Sequence, residues 1–346
     1  MDQQIRYIRS MLMNNMLQAN IDNFVNNTMT CEGVFTLDSN TYSCLGALLC
    51  LPDGERLERA ALKKCKKLLH ANTGLFSNLR GRSRILLVAA LSRSKDPEWL
   101  LSRIQRAYTE LRKEFARSEH LPFAAFLLAE YCRPDQYFFY VMRAKSLFLE
   151  LKGYHSLLTQ NNFVPLCVLM SFSDRNTHHM ASETEKCYKL LKNSFFGSSS
   201  ILLMSCILAM YQGSPEKKTG AVLNMQSHLH AKALPFGSTT QIPALASLSM
   251  CLEPQEALSQ NVSEAYIYLK KEKHFGFFLT RKSLCLLFAS VLVNNSNDNS
   301  ALLCPLQIGT TAPVSQLISI LAIVCCPTLK ERRILGKNFA KEEYAS

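Results

Sequence analysis

An apolar block recurs along this chain at an almost constant interval. Blocks begin at Thr41 (TYSCLGALLCL), Arg82 (RSRILLVAALS), Leu121 (LPFAAFLLAEY), Asn161 (NNFVPLCVLMS), Ser199 (SSILLMSCILA), Thr240 (TQIPALASLSM) and Thr280 (TRKSLCLLFAS). Successive starts differ by 41, 39, 40, 38, 41 and 40 residues. The ninth position of each block is Leu49, Ala90, Ala129, Leu169, Ile207, Leu248 or Phe288, apolar throughout. A period of this length is the signature of stacked supersecondary units, each burying its apolar face on a neighbour. The blocks are apolar on nearly every side, which fits helices enclosed by other helices.

A second marker follows the blocks in the same phase. Pro52-Asp53, Pro97-Glu98, Pro134-Asp135, Pro215-Glu216 and Pro254-Gln255-Glu256 each come shortly after one. Proline suits the first helical position, where its missing N–H costs nothing, and a neighbouring carboxylate complements the positive helix end. These are read as starts of second helices. The fourth unit has no such proline, and its start is read at Ser182-Glu183-Thr184-Glu185. The second helices are amphipathic: Leu101, Ile104, Tyr108, Leu111 and Phe115 fall on one stripe, as do Val141, Ala144, Phe148 and Leu151. The adjacent pair Phe138 and Phe139 is read as core. Joints such as Gly74-Leu75-Phe76-Ser77, Phe195-Phe196-Gly197-Ser198 and Pro235-Phe236-Gly237-Ser238 place a large apolar residue before a cap-forming hydroxyl.

The fold class predicted is therefore all-α, with tandem αα-hairpin repeats of about 40 residues, either an open solenoid or a closed αα ring. Residues 1–35 are read as an N-terminal helix and lead-in, 36–293 as seven hairpins, and 294–346 as a capping helix with a charged tail. Asn294 to Asn299 (NNSNDN) is read as the polar loop that ends the regular array. Ala312 to Cys326 is apolar but short of the roughly twenty residues a bilayer span needs, so it is read as a buried terminal helix.

The formal net charge is +12, with 48% hydrophobic and 19% charged residues, which excludes a disordered chain. Between Leu51 and His120 sixteen Lys and Arg face eight Asp and Glu. A surplus of that kind attracts nucleic acid, acidic proteins or anionic lipid, or it is a solvated helix face. The candidate anion or nucleic-acid contacts are Lys63, Lys64, Lys66, Lys67, Arg80, Arg82, Arg84, Arg103 and Arg106. The first ten residues lack a leader pattern, and the thirteen cysteines lie singly in apolar runs apart from one adjacent pair. Both point to a cytoplasmic location with reduced thiols.

Motifs for standard chemistry are not found. There is no phosphate-binding glycine loop, no paired C-x-x-C and no H-E-x-x-H, so no cofactor and no metal is expected. The nearest metal-like grouping is His178, His179, Glu183 and Cys187; His228 and His230 are two apart and point different ways on a helix. His120, and Glu130 within an apolar helix, are the individual residues of interest for catalysis.

Gly153 to Thr159 (GYHSLLT), leading into an apolar helix, and Lys270 to Ser290 (KKEKHFGFFLTRKSLCLLFAS) resemble the family called domain of unknown function 4003. The resemblance spans about residues 10 to 325. It implies an all-helical, cytoplasmic, bacterial protein with no established activity, so it supplies no catalytic residues. The functional expectation is a non-enzymatic scaffold for an unidentified protein partner. A second reading is phosphate-backbone binding through the basic first two hairpins, and a third is an enzyme with a cavity inside an αα ring.

Overall fold

A computed structural model describes residues 2–36, 40–51, 54, 56–75, 77–234, 236–272, 282–297, 303 and 314–326. The chain is all-α. Among the described residues the helices are α1 (Asp2–Glu32), α2 (Asn40–Leu49), α3 (Arg59–Ala71), α4 (Arg84–Arg93), α5 (Pro97–Glu114), α6 (Leu121–Tyr131), α7 (Tyr137–Tyr154), α8 (Val164–Ser171), α9 (Thr177–Leu191), α10 (Ser198–Ala209), α11 (Pro215–Ala231), α12 (Ile242–Ser249), α13 (Gln255–Lys271), α14 (Lys282–Ser296) and α15 (Val314–Val324). Short 3-10 turns precede α4, α7 and α8.

The capping chemistry decides where the amphipathic helices begin. Asp96 accepts from the Trp99 N–H at 2.9 Å before Pro97 opens α5, and Ser214 accepts from Lys217 N–H before Pro215 opens α11. The fourth unit differs from the sequence reading. Asn176 caps α9 by accepting from the N–H groups of His178 and His179, so Ser182 to Glu185 lie inside the helix. An asparagine side chain at the cap does what the acidic cluster was expected to do. Gly197 precedes α10 with φ at 92°, a conformation that disfavours other residues, and a Cβ there would sit 2.6 Å from Thr239. Pro52, Asp53, Phe76, Pro235 and the start of the last apolar block at Thr280 lie outside the described residues.

The apolar column is enclosed: Leu49, Ala90, Ala129, Leu169, Ile207, Leu248 and Phe288 are all buried. Of its odd-numbered neighbours, each even-numbered helix from α2 to α14 packs most extensively on the one before it. The sequence pairing ran the other way, from each apolar block to the helix after it. In the fold α1, the N-terminal helix, packs on α2.

The odd-numbered helices touch in order, α1 to α3, α5, α7, α9, α11 and α13, and α13 touches α1 again. Three side-chain contacts join the two ends. The Phe24 and Phe288 rings lie 5.4 Å apart, Tyr268 donates to Asp22 at 2.9 Å, and Asn20 donates to Ser296 at 3.0 Å. The contacts therefore form a circuit. Inside it the even-numbered helices pack on one another in two runs, α2 to α8 and α10 to α14, whose ends are α2, α8, α10 and α14. The apolar helix α15 packs on all four of those, and on α12.

So α15 lies at the centre. Leu317, Ile318, Ile320, Leu321 and Ala322 are fully enclosed. Its polar groups are met as burial demands: Gln316 donates to the Leu48 carbonyl, Ser319 accepts from Asn294 at 2.9 Å, and Asn162 donates to the Cys325 carbonyl. Asn294 was read as the start of a polar loop. It lies instead in the last turn of α14, buried against α15. The charged residues from Lys330 lie outside the described residues.

Candidate functional site

The nine cations singled out from the sequence divide into two groups. Lys66, Arg80, Arg84 and Arg103 are half-buried and serve helix ends. Lys66 donates to the Val34 carbonyl at 2.9 Å and lies over the Phe35 ring. Arg80 donates to the carbonyls of His70 and Thr73 at the end of α3, and Arg84 donates to the Arg80 carbonyl at 2.9 Å. Arg103 holds the Cys132 carbonyl just past α6, bonds Tyr137 at 3.2 Å and stacks over Trp99. Carbonyls at a helix C-terminus lack intrahelical donors and carry partial negative charge, so a cation there is structural. Lys63, Lys64, Lys67, Arg82 and Arg106 are exposed on α3, on the joint before α4, and on α5; Arg82 is 3.5 Å from Glu119.

Further along the chain the same use of cations is stronger. Arg143 donates to the carbonyls of Ser171, Ser173 and Arg175 at 2.8 to 3.0 Å. Lys218, only 2% exposed, donates to the Leu208 and Tyr211 carbonyls at 2.8 and 2.9 Å and pairs with Glu183. Glu183 also pairs with Arg175. Arg175 and Glu183 line a cleft of about 540 Å³ with Asp174, Ser182, Lys186 and Gln212. Polar groups do converge there, but Arg175, Glu183 and Lys218 are committed to one another and to helix-end carbonyls. Glu183, considered with His178, His179 and Cys187 as a metal-like grouping, is a counter-ion. No cluster with metal-ligand geometry occurs among the described residues.

The other individual candidates also have structural surroundings. His178 lies 3.1 Å from Glu150, His179 is 2.7 Å from Arg175, and His230 is 3.1 Å from the Phe236 carbonyl. His120 is buried at the start of α6. Glu130 ends its apolar stretch at the surface; partial burial raises its carboxyl, and Arg93 and Arg103 oppose that. All the described cysteines are buried and none is in a disulfide. Burial pushes the thiols of Cys31, Cys132, Cys206 and Cys285 up to about 12, which removes thiolate reactivity near neutral pH.

The surface that stands out is the outer face of α7. Its inner stripe, Val141, Ala144, Phe148 and Leu151, is buried as the sequence predicts. Phe138 and Phe139, read as core, are instead 66% and 51% exposed. Met142, Leu149 and Tyr154 are exposed as well, at 40%, 53% and 43%. Phe138, Met142 and Leu149 are spaced by four and seven residues, so they form one line on the side opposite the core. A shallow cleft of about 680 Å³ runs among Met142, Ser146, Leu149, Gly153 and Tyr154. The signal was in the sequence: α7 carries two apolar stripes, and a helix with one side against a layer can bury only one.

No helix among the described residues is long and apolar enough to cross a membrane. No curated protein and no solved structure matches the chain. The family model for "Protein of unknown function (DUF4003)" matches residues 29–322, which include α2 to α14 and most of α15, so the chain belongs to that family.

Proposed function

We propose that this protein is a non-enzymatic scaffold that docks another protein on its outer circuit of helices. The observation that carries this reading is the uncovered apolar line of α7. Apolar side chains gathered along one face, bordered by polar groups, mark interaction surfaces more often than solvated ones. The filled centre agrees with it. In a ring-shaped enzyme the reaction would be expected inside the circuit, and here α15 occupies that place with apolar side chains. Cross-linking the full chain inside cells, followed by mass spectrometry, tests the proposal. A stoichiometric protein partner cross-linked to the outer helices supports it. Recovery of no partner from cells that make the protein at its natural level overturns it.

A second reading keeps one specific observation. Lys63, Lys64, Lys67, Arg82 and Arg106 remain exposed on neighbouring parts of the outer circuit. They could follow a phosphate backbone without reading bases. Replacing these five by Gln should abolish retention on single- or double-stranded nucleic acid. Retention that persists in the variant, or that does not weaken steeply with added salt, removes this reading.

A further inference from the structure

Resting on the scaffold reading and deepening it, we propose that the outer face of α7 is a groove for an amphipathic helix of a partner protein, with acidic residues along one flank of that helix. The groove has the parts that helix packing uses. Phe138, Met142 and Leu149 supply an apolar line. Beside it Ser146 and Gly153, one heptad apart, keep the floor low, and a Cβ on Gly153 would meet nothing within 4 Å. Small residues seven apart beside large apolar ones make the holes into which the side chains of a second helix fit.

The two edges differ in charge. On one edge Lys145 donates to the Glu114 carbonyl at 2.6 Å and lies over the Phe115 ring, which fixes that edge beside α5. Lys152, seven residues on, stands exposed along it, as does Arg117 just past α5, while Lys113 is paired with Glu110 at 2.7 Å. The other edge carries no exposed cation of α7: Glu150 lies 3.1 Å from His178, and Ser146 lies 3.2 Å from Thr177 of α9. Arg106 on α5, and Lys63 and Lys67 on α3 next to it, are exposed cations as well. An occupant with carboxylates on one flank complements this edge.

The same charges argue against other occupants. A second copy would set Lys145 and Lys152 of one α7 against those of another. The chain's own last residues are basic, with Lys330, Arg332, Arg333, Lys337 and Lys341 outnumbering Glu331, Glu342 and Glu343. A bilayer surface is flat and leaves the cleft between Met142, Leu149 and Tyr154 unfilled.

The test uses the full chain and a fluorescein-labelled 18-residue helical peptide, the length of α7, with leucines at three- and four-residue spacing and glutamates on one flank. Anisotropy should show saturable binding. Leu149→Glu should weaken it at least tenfold, as should exchange of the peptide's glutamates for lysines; Lys152→Glu should weaken it a few-fold. Leu252→Glu, at an exposed apolar position between α12 and α13, should leave it unchanged. Absence of binding, equal binding of acidic and basic peptides, or indifference to Leu149→Glu overturns the proposal. So does a Leu149-dependent dimer in sedimentation velocity, or Leu149-dependent pelleting with phosphatidylglycerol vesicles when no peptide binds. If a cross-linked cellular partner is retained by the Leu149→Glu variant, the groove falls while the scaffold reading stands.

Discussion

α15 and α7 both carry apolar side chains on more than one side, and they end in opposite surroundings. α15 is met by α2, α8, α10, α12 and α14, and its described side chains are all buried. α7 has α5, α8 and α9 against its inner side, and nothing described covers Phe138, Met142 and Leu149. The cations divide in the same way. Lys218 sits enclosed between Glu183 and two carbonyls, while Lys152 stands at the surface. The contrast teaches that residue type does not decide whether a group serves stability or is left for binding. The number of covered sides decides it, and that number is set by where the circuit places the helix.

The largest effect should come from the enclosed charge. Lys218→Met removes one partner of Glu183 and takes one donor away from each of the Leu208 and Tyr211 carbonyls. Breaking a buried pair from one side costs about 3–5 kcal/mol. Denaturant unfolding should show a loss of that order, and Lys152→Met should change stability by less than about 0.5 kcal/mol. Equal effects at the two lysines would erase the distinction between them.

The apolar pair comes next. Leu321→Ala in the centre of the circuit should cost about 2–5 kcal/mol, the usual range for a leucine truncated in a closed core. Leu149→Ala on the outer face should cost less than about 0.5 kcal/mol and should act on partner binding instead. A large loss of stability from Leu149→Ala, measured by the same unfolding curves, would place that side chain in the core and remove the reason for a groove.

The layers of this fold were legible because they depend on period. A repeat near forty residues located the buried helices α2, α4, α6, α8, α10, α12 and α14, and proline or a cap located most of the others. What could not be read was contact across long separations. Phe24 meets Phe288, and Gln316 meets Leu48, because the circuit closes and α15 lies within it. No local pattern encodes either contact. For the same reason the basic region misled. Arg80 and Arg103 look like surface charge in sequence, yet they reach helix ends whose positions are set by tertiary packing. The apolar line of α7 was legible in principle: Phe138, Met142 and Leu149 have helical spacing, out of phase with the buried stripe.

The smallest effect concerns His70, which lies between the two kinds of surroundings. It is half-buried at the end of α3, and its Nε2 has no hydrogen-bond partner. Burial lowers its affinity for a proton, and the charges of Arg80, Lys66 and Arg84 lower it further. The ordinary value is 6.5. Because the folded value lies below it, the unfolded chain takes up the proton first as pH falls. Stability at this residue is complete above about 6.5 and declines as pH drops through that value towards the lowered folded one. An NMR titration of the ring should give a midpoint below 6.5, and Arg80→Ala should move it upward by taking away one of the three charges. His70→Gln should flatten this part of the stability profile. A midpoint at or above 6.5 would mean that Arg80, Lys66 and Arg84 are turned away from the ring, and these three would then rejoin the exposed cations of α3 and α5 as contacts for a partner.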